Sequence, residues 1–191
     1  TLGASLSAVL IMSGFNPWVA TFLAFCAGSL AGIITGIMHT KFKIQEILSG
    51  ILMMTALYSI NLRIMGKSNI PMLDTQSVSQ SYETVLFSFF GELSKIEIFG
   101  WMIPLPDFAV FLSSLIMCIM IALLLTRFLK THFGTILRAT GSNPQMVRAQ
   151  GVNNNMMIIF GLGLSNGLVA LSGSLLAQYQ GFADVQMGIC M

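Results

Sequence analysis

Charge is what this sequence has least of. Among its 191 residues are seven Asp and Glu and nine Lys and Arg, 8% in all, whereas a soluble globular domain carries about 25%. No charged side chain occurs before His39. With 55% hydrophobic residues and a mean hydropathy of +0.83, this scarcity excludes a soluble domain and predicts an all-α, polytopic bundle of transmembrane helices. A net charge of +2, with basic residues scattered among loops, excludes nucleic acid as the expected partner. Cysteine is also sparse: Cys26, Cys118 and Cys190 have no metal-ligand spacing, and two of them lie in apolar runs where an inert thiol is expected. Nothing in the sequence calls for a metal or other cofactor. An initiator Met, a basic leader and a polar tail are missing as well, so the chain reads as an internal piece of a longer membrane protein.

Phosphate-binding and catalytic devices are lacking too. Gly134 and Gly141 do not frame a Walker loop, since no Lys follows Gly141. Gly163-Leu-Ser165-Asn-Gly167 fits the Gly-x-Ser-x-Gly nucleophile elbow, which makes an intramembrane serine hydrolase a remote alternative. Its serine needs a base within reach, yet His39 and His132 both fall in loops, so a small-residue helix contact is the expected reading. Intramembrane carboxylates or arginines of the kind used by coupled transporters are absent from the apolar runs. That weighs against the other alternative, a self-contained secondary transporter or channel.

What is present is a series of apolar runs. Thr1 to Ser13 is too short to cross a bilayer, which takes about 20 residues, and is expected to be the end of a truncated helix. Spans are predicted over 17–38, 47–62, 108–126 and 156–177. In the first, Ala24, Gly28, Gly32 and Gly36 recur every fourth residue, a flat ridge on which a second helix can pack closely. Gly163 and Gly167 repeat that spacing in the last. The 47–62 run carries Ser49, Thr55, Tyr58, Ser59 and Asn61, polar groups that face protein or a water-filled path. Between 63 and 107 the chain is turn-rich, with an amphipathic helix predicted over 82–93. Gln178 to Gln186 is expected to return the chain to water or to a polar vestibule.

Charge sets the orientation. The 39–46 loop carries Lys41 and Lys43, and the 127–155 segment carries Arg127, Lys130, Arg138 and Arg148 with no acid, while 63–107 has three basic and five acidic residues. The basic loops belong on the cytoplasmic side. Trp18, Tyr58, Trp101 and Tyr179 then gather near the outer interface, where amphipathic rings are favoured.

One stretch breaks the apolar pattern with dense turn chemistry. From Gly134 to Gly151, a short helix over 135–140 is predicted to end at a left-handed Gly141. Ser142-Asn143-Pro144 then opens a second helix that closes at Gly151. Arg138 and Arg148 are its only ionisable groups, so its surface is positive, as a docking platform for another protein would be. An ordinary basic loop would share the charge but not the defined turns.

Arg138-Ala139-Thr140-Gly141-Ser142-Asn143-Pro144 and Arg148-Ala-Gln-Gly151-Val-Asn resemble the cytoplasmic coupling segment of permease subunits in bacterial binding-protein-dependent ABC importers, of the branched-chain amino acid and ribose class. Residues 51–66 and 172–184 resemble the subgroup linked to tryptophan or tyrosine uptake. The likeness runs over essentially the whole chain, read as one permease domain, 1–191, with 127–155 as its coupling segment. It implies a separate ABC ATPase docked on Arg138, Ala139, Thr140, Gly141, Asn143, Pro144, Arg148 and Gly151, and an extracytoplasmic solute-binding lipoprotein. It further implies a second permease subunit forming a homodimer, a place in the bacterial cell membrane, and a path for a small solute to which Thr55, Asn61, Ser165, Asn166 and Asp184 are the candidate contributors. It also implies import by alternating access, and further spans before and after this piece. Cys190 stands where the resemblance implies glycine.

Overall fold

A computed structural model describes residues 1–71, 95–98 and 101–188. The order of elements is α1 Leu2–Met12, α2 Pro17–Phe42, α3 Glu46–Met65, β1 Asn69–Pro71, β2 Lys95–Ile98, β3 Trp101–Pro104, α4 Leu105–Leu129, α5 His132–Ser142, α6 Pro144–Ala149, α7 Asn154–Gln180 and β4 Phe182–Asp184. The helix expected over 82–93 and Cys190 lie outside the described residues. Among those described, three helices (α2, α3 and α7) are long and apolar enough to cross a membrane. A fourth crossing is counted if Ser114–Leu129 and α5, bent by 84° about a short break, form one broken span.

The spans are longer than the apolar runs because polar residues serve their ends. Asn16 accepts a hydrogen bond from the Trp18 amide, and Pro17 occupies the first turn of α2, where its missing N–H costs nothing. The helix then runs through His39 to Phe42, ending on a left-handed Lys43. Gly66 and Gly181, with φ of +65° and +70°, stop α3 and α7 in the same left-handed conformation.

α2 and α7 form the central antiparallel pair, and the small-residue ridge is their seam. A Cβ placed on Gly28 would meet Ala170 and Asn166, on Gly32 would meet Leu162, Gly163 and Asn166, and on Gly36 would meet Ile159. From the other side, Gly163 lies against Ile33, and Gly167 against Ser29 and Phe25. Without a hydrophobic driving force between helices in lipid, such close approach is what lets dispersion hold them together. At one end of this pair Gln178 Nε2 donates to Thr21 Oγ1 (2.9 Å) and Ser174 Oγ (3.2 Å). Gln178 is therefore buried, not returned to water as the sequence suggested, because it shares the Ala170 and Ser174 face that meets α2.

α1 is short but enclosed. Its Gly3, Ala4, Ser5, Ser7, Ala8 and Ile11 are buried, and Ala4 and Ala8 share a core with Met65, Ile70, Ala177, Ala183 and Val185. β1 and β4 pair antiparallel, Ile70 opposite Ala183, which brings the C-terminal ends of α3 and α7 to the same end of the bundle. β2 and β3 form a separate hairpin. Lys41, Lys43 and the α5–α6 unit lie together at the other end.

Candidate functional site

Two features stand out: a cleft in the bundle and a helix pair folded under it. The cleft, of about 880 Å³, opens between α2, α3 and α7. Gly28, Ala31, Thr35 and His39 of α2 form one wall, Ser49, Met53, Leu57 and Tyr58 of α3 a second, and Ile158, Leu162 and Asn166 of α7 a third, with Leu2, Gly3 and Val185 closing one end. Its lining is mainly apolar, with neutral polar groups spaced along it, and Glu46 sits at the end nearest Lys41 and Lys43. There His39 Nδ1 bonds the Ile44 carbonyl at 2.9 Å, and His39 Nε2 lies 3.6 Å from Glu46. With Glu46 largely exposed, the pair adds little to stability.

The candidate path residues separate in the structure. Asn166 lines the cleft, its Nδ2 donating to the Leu162 carbonyl (3.0 Å). Thr55 lies on the exposed face of α3 with its hydroxyl on the carbonyls of Ile51 and Leu52. Asn61 is fully buried against α1, its Oδ1 accepting from Ser5 Oγ (2.9 Å) and its Nδ2 donating to Thr1 Oγ1 (3.2 Å). Ser165 is exposed on α7, and no described histidine bonds it. Asp184 is half-buried in β4, where its carboxylate accepts from the Gln186 amide at 2.7 Å. Ser49 and Tyr58, two of the polar groups of the 47–62 run expected to face protein or a path, line the cleft, and so do Thr35 and His39, which had not been singled out for it. Their facing depends on how three helices pack, which local spacing does not encode. Tyr58, read as an interfacial anchor, is one of the four.

The second feature is the α5–α6 unit. The turn chemistry differs from the expectation at its first helix. α5 starts at His132, where Thr131 Oγ1 accepts from the Gly134 amide (3.2 Å), and it continues through Gly141, which is not left-handed. Asn143, not Gly141, makes the break: its side chain accepts from the Met146 amide (3.1 Å) and Pro144 opens α6. α6 closes just before Gly151, which is left-handed at φ +82°. Phe133, Ile136, Leu137 and Thr140 follow the i, i+3, i+4, i+7 spacing of one helix face, a signal that extends the helix one turn earlier.

That face attaches the unit to α7. The rings of Phe133 and Phe160 meet edge to face at 5.4 Å, Phe128 adds a tilted contact at 6.0 Å, and Leu137 lies beside Gly161. Asn154, the first residue of α7, donates from Nδ2 to the Pro144 carbonyl at 2.6 Å. Its Oδ1 is buried with no partner among the described residues. Thr140 and Val147 are buried and Ala139 is half-buried, whereas Arg138, Gly141, Asn143, Pro144, Met146, Arg148 and Gly151 are exposed. Neither arginine has a carboxylate partner among the described residues. The outcome is a cationic surface with an apolar methionine in it, joined to a helix that forms one wall of the cleft.

Comparison with known proteins bears on what this arrangement is for. The family described as the permease component of branched-chain amino acid transport systems matches residues 1–191. A tyrosine transport system permease protein of Clostridioides difficile is 46% identical over 99% of this chain and 56% of its own length. An uncharacterized protein of Rickettsia prowazekii is 34% identical over 98% of the chain and 58% of its own length. An autoinducer 2 import system permease protein of Salmonella typhimurium is 29% identical over 97% and 47%. The chain thus spans about half the length of these curated relatives. No solved structure matches it.

Proposed function

The chain belongs to the family of branched-chain amino acid transport system permease components, and from that premise we propose that it forms the membrane path of an ATP-driven importer. In this reading the cleft between α2, α3 and α7 carries a small solute, and the α5–α6 unit docks a separate ATPase subunit. Asn166 is the candidate path residue with a place in the cleft wall. Thr55, Ser165 and Asp184 belong to the path only where further parts of the assembly meet their exposed or half-buried faces, and Asn61 acts by holding α1 against α3.

The observation that carries this reading is the sharing of one helix. α7 is a wall of the cleft, and its first two turns hold the cationic surface through Phe160, Gly161 and Asn154. A displacement of α5–α6 by an attached motor therefore reaches the cleft through packed side chains rather than through a loose linker. The other partners in this proposal are an extracytoplasmic solute-binding lipoprotein and a second copy of the permease. The solute is an amino acid, with tyrosine or tryptophan favoured by the similarity to the tyrosine permease and by a cleft that is largely apolar yet dotted with neutral polar groups. ATP hydrolysis belongs to the docked subunit, and no cofactor or nucleic acid enters the scheme.

The test uses the full-length protein co-expressed with its ATPase. Arg138→Glu with Arg148→Glu is expected to lower recovery of the complex at least tenfold and abolish uptake, because two attractive contacts become repulsive. Unchanged complex and uptake would refute the docking assignment. A Met146→Cys variant is expected to react with an impermeant thiol reagent only from the cytoplasmic side.

A further inference from the structure

A second, smaller cavity lies at the elbow between α4 and α5. It has a volume of about 200 Å³ and is lined by Ser29, Ile33, Phe128, Phe133, Phe160 and Gly163, among others. Its lining carries no charged group, and its one hydroxyl is that of Ser29. It exists because α5 leaves α4 at 84° and Gly163 contributes no side chain where the elbow meets α7. This half-open pocket is larger than the roughly 150 Å³ that accommodates a benzene-sized guest, and a chain seated in it would gain dispersion contacts with three phenylalanine rings.

The cavity lies within the reach of one leaflet, its α7 lining falling at Phe160, Gly163 and Leu164. Phe128 stands at the cytoplasmic end of α4, while Gly163 lies nine residues beyond the start of α7, about 14 Å along it at 1.5 Å per residue. Half of a 30 Å hydrocarbon core is about 15 Å. Arg127 lies one residue before Phe128 and Lys130 two residues after it in the chain. Both are exposed, and neither has a carboxylate partner among the described residues.

We propose that this elbow is a binding site for an anionic phospholipid, one acyl chain filling the phenylalanine-lined slot and the phosphate resting on Arg127 and Lys130. The slot alone would take any acyl chain, because hydrocarbon gains little by leaving one apolar surroundings for another. Selection comes from the two cations, each worth about fivefold in affinity for a negative headgroup near the surface. A lipid seated there would join α4 and α5 to the α2–α7 pair at the point where the docking unit is attached. The assignment borrows the orientation of the proposed function but not the docking of an ATPase.

The experiment is native mass spectrometry of the delipidated full-length permease titrated with phosphatidylglycerol or phosphatidylcholine. Wild type is expected to retain phosphatidylglycerol about 25-fold more strongly. Arg127→Gln with Lys130→Gln, on exposed side chains, is expected to bring the two lipids within twofold of each other, while Lys41→Gln with Lys43→Gln leaves the preference in place. Leu164→Trp, placed to fill the slot, is expected to lower retention of both lipids. Absence of a preference in wild type, or its persistence in the Arg127 and Lys130 variant, overturns the site, as would occupation of the slot by another segment of protein. Thiol labelling of the 127–130 region from the outer side would instead overturn the orientation, and with it the proposed function.

Discussion

Gly32→Ala is the smallest change that tests how the bundle is held together. The added Cβ would lie 2.9 Å from both Asn166 Cβ and Gly163 Cα, and closer still to the Leu162 carbonyl oxygen. Carbon atoms sit comfortably at 3.5 Å or more, so α2 and α7 must part by at least about 0.6 Å at this level. Two of the three obstructing atoms are backbone, which no rotamer change can move aside. Parting here also loosens Gly28 and Gly36, one turn away on either side. Overpacking of this kind costs about 1–3 kcal/mol, offset by up to about 1 kcal/mol from replacing glycine in a helix. A net loss of about 1–2 kcal/mol is expected. Gly50→Ala is the control, because nothing lies within 4 Å of its added Cβ, and it should be neutral or slightly stabilising. SDS titration of the two full-length variants in mixed micelles compares them directly. If Gly32→Ala unfolds at the same or higher SDS fraction than Gly50→Ala, the seam is not the close contact argued for here.

Other substitutions examine the inner end. Gly141→Ala should raise thermal stability by about 0.5–1 kcal/mol, since Gly141 is helical with open space around it; a loss of stability would restore the left-handed cap. A double-mutant cycle of Phe133→Ala and Phe160→Ala should give a coupling of about 0.5–1.5 kcal/mol in the same SDS titration, the range for edge-to-face rings, whereas additive effects would show that the rings do not join α5 to α7. Asn154→Ala removes the bond to Pro144 but also a buried oxygen that lacks a partner, so stability should change by less than about 1 kcal/mol. The amount of ATP hydrolysed per solute imported should nevertheless rise severalfold in reconstituted transporter, and an unchanged ratio would mean that the tie transmits nothing.

Features whose meaning is local could be read from the sequence. Glycine every fourth residue in an apolar run has few uses other than close helix contact, so the ridge on α2 and the Gly163 and Gly167 pair were both visible, though not the fact that they face each other. Asn143-Pro144 and Gly151 carry their turn geometry in their own chemistry, and the structure uses them accordingly. Gly141 misled because glycine is permissive: it tolerates the left-handed stop without requiring it, and the stronger signal two residues on, Asn143 before Pro144, won. The polar residues of α3 were ambiguous for a different reason. A polar side chain in a membrane helix can satisfy itself on the preceding turn, as Thr55 and the Asn166 amide do, or reach to another element, as Asn61 does to α1. Which of them faces the cleft depends on helix rotation, a property of the packed bundle.

The distribution of ties between the two ends of the bundle explains why the inner-end changes are expected to uncouple rather than unfold. At the outer end, α7 is held by Gln178 and Ser174 on Thr21, by the β1–β4 pairing, and by the core around Ala177 and Ala183. Along its middle, the glycine seam leaves no room for sideways slip against α2. At the inner end, by contrast, α5 and α6 reach α7 through two rings, a leucine against a glycine and one hydrogen bond. Helices fixed at one end and lightly joined at the other respond to a push on the free end by tilting, and here the tilting helix is a wall of the cleft. Losing one of the light ties removes little of the energy that keeps the bundle folded, yet it removes a large part of the connection through which a push could arrive.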